Sequence, residues 1–144
     1  MILLDVNVLI YAYREDADRH EEHRSWLDLA TKADTPCGAA DVVLSGFLRV
    51  VTNPRALSPP APVGHALTFI QSLRQRPSYV SIGPSPRHWA IFARLCRQAN
   101  AKGNLVPDAY LAALAIETGS ELVTTDRDFA RFPGLRWRHP LDPV

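Results

Sequence analysis

Acidic residues are missing from the whole middle of this chain of 144 residues. No Asp or Glu lies between Asp41 and Asp108, whereas the same stretch carries seven arginines and one lysine. This asymmetry indicates a polyanionic partner, because the planar guanidinium of arginine matches phosphate and also stacks on bases. The alternative reading is that these arginines only solvate the outer faces of helices.

Cysteines and long apolar runs are also scarce. The two cysteines, Cys37 and Cys96, are too few for a disulfide framework and lack zinc-type spacing, which predicts a reducing, cytoplasmic setting. The apolar N-terminal run is interrupted by Asp5 and has no basic leader, so it predicts a buried strand and no membrane association. No glycine-rich phosphate-binding loop is present, which argues against a nucleotide cofactor.

The periodicity of the apolar residues predicts one domain over residues 1–144, of the α/β class, with a central and mainly parallel sheet flanked by helices. The predicted strands cover residues 1–5, 79–82, 121–125 and 135–138. The predicted helices cover residues 8–14, 19–33, 41–52, 65–74 and 107–117, with one more helix that opens after the Gly-Pro-Ser-Pro run at 83–86.

Three acids fall at positions where such a fold carries its functional groups. Asp5 and Asp126 end predicted strands, and Asp108 begins a predicted helix. Because the functional crevice of an open α/β sheet lies beyond the carboxyl ends of its strands, we expect these carboxylates to converge on a Mg²⁺ site. Asn7 would add a neutral oxygen ligand or orient a water. The competing interpretation is structural: Asp5 and Asp108 cap helices, and Asp128 caps a short helix after a turn.

Four sequence blocks resemble those of PIN-domain ribonucleases, and their order and spacing resemble the VapC toxins of bacterial toxin-antitoxin pairs. The blocks are residues 3–10 (LLDVNVLI), 47–54 (FLRVVTNP), 107–115 (PDAYLAALA) and 124–129 (TTDRDF).

The resemblance implies a PIN fold and an endoribonuclease that depends on Mg²⁺ or Mn²⁺. It also implies a homodimer, and inhibition by a cognate VapB-like antitoxin whose C-terminal segment lies over the active-site groove. By the same resemblance the metal ligands are Asp5, Asp108 and Asp126. Asp128 is an auxiliary acid, and the supporting residues are Asn7 and Thr124 or Thr125.

One position departs from the family pattern. Gly46 stands where the family has Glu, in the helix just before the FLRVVTNP block. We therefore predict a weakened or inactive ribonuclease, and a non-catalytic RNA-binding or antitoxin-binding PIN module remains the alternative. For RNA binding, the acid-free stretch offers Arg49, Arg55, Arg94 and Arg97 as candidates.

Other patterns favour simpler explanations. The run from His20 to His23 (HEEH) is typical of a solvated helix face rather than of a metal site. Trp26, Trp89 and Trp137 have the spacing of core or interface residues rather than of base-stacking platforms. A phosphoaspartate hydrolase would need a second Asp where this chain has Asn7.

Overall fold

The computed structural model describes all 144 residues. At its centre lies a five-stranded sheet in the order β3-β2-β1-β4-β5, and every neighbouring pair of strands runs parallel. The predicted α/β class with a parallel sheet is confirmed. The strands are β1 (Ile2–Leu4), β2 (Cys37–Ala39), β3 (Tyr79–Ser81), β4 (Glu121–Val123) and β5 (Trp137–Arg138).

Six helices pack around the sheet. Helix α1 packs against α2 and α3, and α3 packs against α4, whereas α5 and α6 pack closely on each other. The helices are α1 (Val6–Tyr13), α2 (His20–Lys32), α3 (Asp41–Val51), α4 (Val63–Arg74), α5 (His88–Ala99) and α6 (Leu105–Thr118), and a short 3₁₀ helix spans Arg127–Arg131.

Helix α6 is the most deeply buried helix, and its composition explains why. Its alanines Ala109, Ala112, Ala113 and Ala115 are all fully buried, because small side chains let the helix approach the sheet closely. The helix ends at Gly119, whose φ of 66° is the left-handed conformation that glycine adopts without strain.

The sequence prediction missed strand β2. The segment Cys37–Ala39 has no run of β-branched residues, yet all three residues are buried between β1 and β3. Gly38 is required there, because a Cβ at this position would overlap the carbonyl oxygen of Val80. Close approach of two backbones, rather than strand propensity, therefore defines this strand.

Other predicted boundaries shift by a few residues. Helix α6 begins at Leu105 rather than at residue 107, and α4 begins at Val63 rather than at residue 65. Strand β4 ends at Val123 instead of residue 125, so the following threonines belong to the loop. Both cysteines are free thiols. None of the helices is both long and apolar enough to cross a lipid bilayer.

The chain path creates one switch point in the sheet. From β1 the chain moves outward through β2 and β3, and it then returns to place β4 on the other side of β1. A crevice forms beyond the carboxyl ends of β1 and β4, because the connections leave these two strands in opposite directions.

Candidate active site

Two of the three predicted acids emerge side by side at this switch point. Asp5 directly follows β1, and Asp126 follows β4 after two threonines. The strands are in register with Leu4 opposite Val123, so both acids leave the same edge of the sheet. Asp5 also caps α1, which confirms the structural interpretation without excluding a role in the site.

Three hydrogen bonds fix the carboxylate of Asp5. The backbone N–H of Val6 donates to Oδ1 at 2.7 Å. The hydroxyl of Thr124 and the side-chain amide of Asn7 donate to Oδ2 at 2.7 and 3.1 Å. Burial raises the pKa of Asp5, and the hydrogen bonds from Thr124 and Val6 act against this increase because they favour the charged carboxylate.

The predicted supporting residues form one network beneath the site. The Thr124 hydroxyl donates to Asp5 and accepts from the Asn7 amide at 3.1 Å and from the backbone N–H of Asp126 at 3.0 Å. Asn7 Oδ1 accepts from the backbone N–H of Thr125 at 3.0 Å. Thr125 therefore contributes its backbone, whereas fully buried Thr124 contributes its side chain. This network holds the loop after β4 against the start of α1.

Asp108 reaches the same crevice from the first turn of α6. It is not the cap of that helix, because Asn104 occupies the cap position. Burial and, to a smaller extent, the nearby carboxylates of Asp5, Asp126 and Asp128 together raise the pKa of Asp108 to about 6, with Arg131 acting in the opposite direction. The acids are thus close enough to repel each other.

A cleft of about 640 Å³ contains all three acids. Residues of helices α1, α3, α5 and α6 line this cleft. Gly46, Ser45 and Arg49 of α3 also line the cleft, together with Asn7. Gly46, at which the resemblance leads us to expect Glu, therefore lines the same cleft as the acids, but it brings no carboxylate.

No three His, Cys, Asp or Glu side chains stand close enough to form a ready-made metal cluster. The donor set nevertheless fits Mg²⁺ or Mn²⁺, because Mg²⁺ prefers oxygen ligands and usually keeps several waters while only one or two carboxylates bind it. Repulsion among the acids also fits, since a cation between them would relieve it. A coordination sphere with several waters suits this arrangement better than an all-protein cage.

Asp128 has a different structural role from the one that the sequence suggested. It does not cap the 3₁₀ helix; the side chain of Asp126 does, because it accepts from the backbone N–H of Asp128 at 2.9 Å. Asp128 is exposed, and its carboxylate lies 3.9 Å from Arg131. Its negative charge contributes to the raised pKa of Asp108.

The candidate RNA-binding arginines do not share one location. Arg49 lines the cleft, and the other three do not. Arg55 lies in the exposed turn after α3, and Arg94 and Arg97 are exposed on α5. Arg131 was missed by the sequence prediction, which considered only the acid-free stretch; its spacing of three residues from Asp128 was the available signal.

The remaining sequence patterns are explained by the structure. His20 and His23 are buried and Glu21 and Glu22 are exposed, so the HEEH run does not converge on one point. The prediction of a solvated face was therefore wrong for the histidines. Trp26 and Trp137 pack against the core, as predicted, whereas the Trp89 side chain is 71% exposed and does not.

Comparison with known proteins agrees with this geometry. A family model described as PIN domain matches residues 2–135. The chain therefore belongs to the PIN domain family. Ribonuclease VapC43 of Mycobacterium tuberculosis is 43% identical to it over 142 residues, which cover 99% of this chain and 97% of that protein. The resemblance to PIN-domain VapC proteins is thereby confirmed.

Solved structures support the same fold. The structure of VapBC2 from Rickettsia felis bound to a DNA fragment from the promoter superimposes with a TM-score of 0.70 at 22% identity, covering 96% of this chain and 98% of that chain. A toxin-antitoxin complex from Klebsiella pneumoniae gives a TM-score of 0.65 at 18% identity, with 99% and 100% covered. At such identities the likeness shows the fold alone.

Proposed function

We propose that this chain is a VapC-type toxin: an endoribonuclease that hydrolyses a phosphodiester bond of RNA in the cytoplasm with the help of a divalent cation. The observation that carries the proposal is the arrival of Asp5, Asp108 and Asp126 at one cleft beyond the carboxyl ends of β1 and β4. The 43% sequence identity to Ribonuclease VapC43, which extends over 99% of this chain, supports hydrolysis of RNA as the reaction.

The acids have distinct parts in this proposal. Asp5 is oriented by Thr124, Asn7 and the start of α1 and is the fixed ligand. Asp108 and Asp126 complete the ligand set, and Asp128 adds negative charge from outside the cleft. A bound Mg²⁺ or Mn²⁺ supplies a Lewis acid for the phosphate and lowers the pKa of a bound water. Asn7 and Thr124 hold Asp5 in place, and their hydrogen bonds favour its charged form.

Substitution of the fixed ligand tests the mechanism. Asp5→Asn keeps the shape of the side chain and removes the charge, so cleavage of RNA in Mg²⁺ or Mn²⁺ should fall by at least about a hundredfold while the protein stays folded. The matched control is Asp34→Asn, an exposed position outside the cleft. RNA-end sequencing and thermal melting give the two readouts. Cleavage by Asp5→Asn at the normal rate in chelator would refute the mechanism.

The absence of a carboxylate at position 46 is proposed to weaken the enzyme. Glycine in a helix interior costs about 1 kcal/mol relative to alanine, so a helix gains nothing from it by propensity alone. A Cβ at Gly46 would meet only the Val6 side chain, at 3.3 Å, so a longer side chain needs only a small shift there.

Introducing a carboxylate at position 46 tests whether its absence weakens the enzyme. Gly46→Glu should raise the affinity for Mg²⁺ and the rate of RNA cleavage, whereas Gly46→Gln, of the same size and without charge, should raise neither. Calorimetric titration with Mg²⁺ and parallel cleavage assays in Mg²⁺ and Mn²⁺ measure both. Equal activity of the original chain and the Gly46→Glu variant would show that the position is not a needed ligand.

A non-catalytic RNA-binding or antitoxin-binding module is the second candidate. It is favoured by the same missing carboxylate and by the lack of a ready three-ligand cluster. RNA binding without cleavage in either metal would select it.

The proposed partner is a VapB-like antitoxin whose C-terminal segment covers the cleft, and the proposed assembly is a homodimer. The likeness to solved toxin-antitoxin complexes is compatible with this partner. Co-expression with a cognate VapB-like antitoxin should abolish cleavage, and light scattering should give a dimer. A stable monomer that is not inhibited would argue against both.

A further inference from the structure

Part of the cleft lining, which we call the apolar arm, is apolar and is not used by the proposed chemistry. Phe92 of α5 and Val106 and Tyr110 of α6 line this arm, together with Val42 of α3. Val42 and Val106 are 56% and 38% exposed. An apolar wall that stays exposed beside a charged site is typical of a surface that binds a ligand.

The aromatic side chains of this arm are held in place by their neighbours. The buried His88 ring stacks on Phe92 with an interplanar angle of 15°, and its Nε2 lies 3.0 Å from the backbone oxygen of Tyr110. Phe92 meets the Tyr110 ring edge to face at 5.7 Å, and Trp89 meets Phe92 in the same way at 5.5 Å. A ring fixed in this manner loses little entropy when it binds a flat partner.

The charges around the arm favour a nucleotide over other occupants. The acids at one end of the cleft are proposed to hold a cation that attracts phosphate, and Arg49 lines the same cleft with its side chain exposed. Aromatic side chains that share one cleft with a phosphate site and an arginine form the combination that binds single-stranded nucleic acid, because every base has a π-face to stack.

We propose that the apolar arm is a base subsite: it takes one unstacked base of single-stranded RNA, next to the bond that is cut, against Phe92 and Tyr110. This inference rests on the proposed ribonuclease function. A base inside a duplex is stacked on both faces and does not reach the arm, so the subsite selects loops and unpaired segments. Arg49 contacts the phosphate that follows the bound base.

Binding without cleavage separates the subsite from the chemistry. The probe is a short fluorescent single-stranded RNA, compared with versions that carry one abasic position each, and fluorescence anisotropy is measured in chelator. For the original chain, the abasic position that matches the subsite should weaken binding about tenfold. The same RNA annealed to its complement should bind more weakly than the single strand.

Phe92→Leu should weaken binding of the intact RNA and remove most of the difference between the intact and abasic probes. Phe69→Leu is the matched control, because Phe69 is also partly buried but lies outside the cleft, and it should keep the difference. Thermal melting of both variants identifies any loss of folding. An equal affinity of the original chain for intact and abasic probes at every position would overturn the subsite, as would an unchanged difference in Phe92→Leu.

Two further outcomes are informative. If Trp89→Ala and Phe92→Leu turn a dimer into a monomer and leave RNA binding unchanged, the arm is an interface between copies and the proposal is wrong. If the abasic effect is present but no RNA is cut in Mg²⁺ or Mn²⁺, the subsite stands and the proposed catalysis fails. If RNA is cut but no abasic position weakens binding, the proposed catalysis stands and the subsite is wrong.

Discussion

At the scale of single residues, the carboxylates of the site differ because their neighbours differ. Asp5 and Asp108 both lose water on folding, and burial raises the pKa of both. Asp5 accepts three hydrogen bonds that favour its charged form, whereas no hydrogen bond opposes the burial of Asp108. Burial and the neighbouring carboxylates therefore both destabilise the charged form of Asp108.

This difference predicts the stability of an Asp108→Asn variant. The pKa of Asp108 is raised from 3.8 to about 6, so its deprotonation destabilises the fold. The penalty is small at pH 4, disappears at lower pH, where the group is protonated in both states, and is complete above pH 6. The full shift corresponds to about 3 kcal/mol, and the partial exposure of the side chain reduces this to about 1–2 kcal/mol.

In chelator, Asp108→Asn should therefore melt several degrees higher than the original chain at pH 8 and at nearly the same temperature at pH 4. Addition of Mg²⁺ should stabilise the original chain more than the variant, since the cation relieves the same repulsion. Thermal unfolding at both pH values measures this, with Asp34→Asn as the control. A variant that melts lower than the original chain at pH 8 would contradict the repulsion argument.

At the scale of elements, close packing of small residues decides where strands and helices can lie. Strand β2 lies against β3 at Gly38, where the backbone of Val80 occupies the space of a side chain. Helix α6 approaches the sheet through its buried alanines. These contacts hold β1, β4 and α6 in the arrangement that brings the acids together.

Alanine substitutions at two glycines separate close packing from helix propensity. Gly38→Ala should unfold the protein or lower its stability by several kcal/mol, because the new methyl group would overlap a backbone carbonyl that cannot move without breaking the sheet. Gly64→Ala, in α4 with open space around it, should stabilise the protein by up to about 1 kcal/mol. Chemical denaturation compares the two variants. Equal stability of both variants would show that the sheet can adjust at β2.

At the scale of the whole molecule, charge is divided between surfaces. The acids of the site line the cleft at the sheet edge, whereas the acid-free stretch supplies α3, α4 and α5 with their arginines. Only Arg49 of the four predicted RNA-binding arginines lines the cleft. A long RNA would meet the other three only if it extends beyond the cleft over the outer surface.

Salt dependence of RNA binding tests this division. Affinity should fall steeply with salt, and Arg49→Gln should reduce the slope of log K against log salt by about one unit, as loss of one phosphate contact does. A triple variant should reduce this salt slope further when the RNA is long. Its substitutions are Arg55→Gln, Arg94→Gln and Arg97→Gln. Arg74→Gln is the control, because Arg74 lies beside Asp41. An affinity that does not change with salt would mean that these arginines only solvate helix faces.

The sequence by itself determined the class of fold, the positions of β1 and β4, and the presence of acids where these strands end. One apolar run ends at Asp5, and another ends shortly before Asp126. Such runs are local signals, because a buried parallel strand needs a continuous apolar run. The functional residues of an α/β sheet lie just beyond the carboxyl ends of its strands. Helix α6 was also predicted from its alanines and from Gly119. Local chemistry is sufficient for such features.

Only the tertiary structure decided which residues meet. Strand β2 could not be predicted, because Cys-Gly-Ala has no strand propensity and becomes a strand through close contact with β3. The apolar arm of the cleft, with Phe92 and Tyr110, joins helices that are distant from Asp5 in the chain. The raised pKa of Asp108 likewise arises from burial and from the carboxylates of two other segments, which become neighbours only when the sheet has formed.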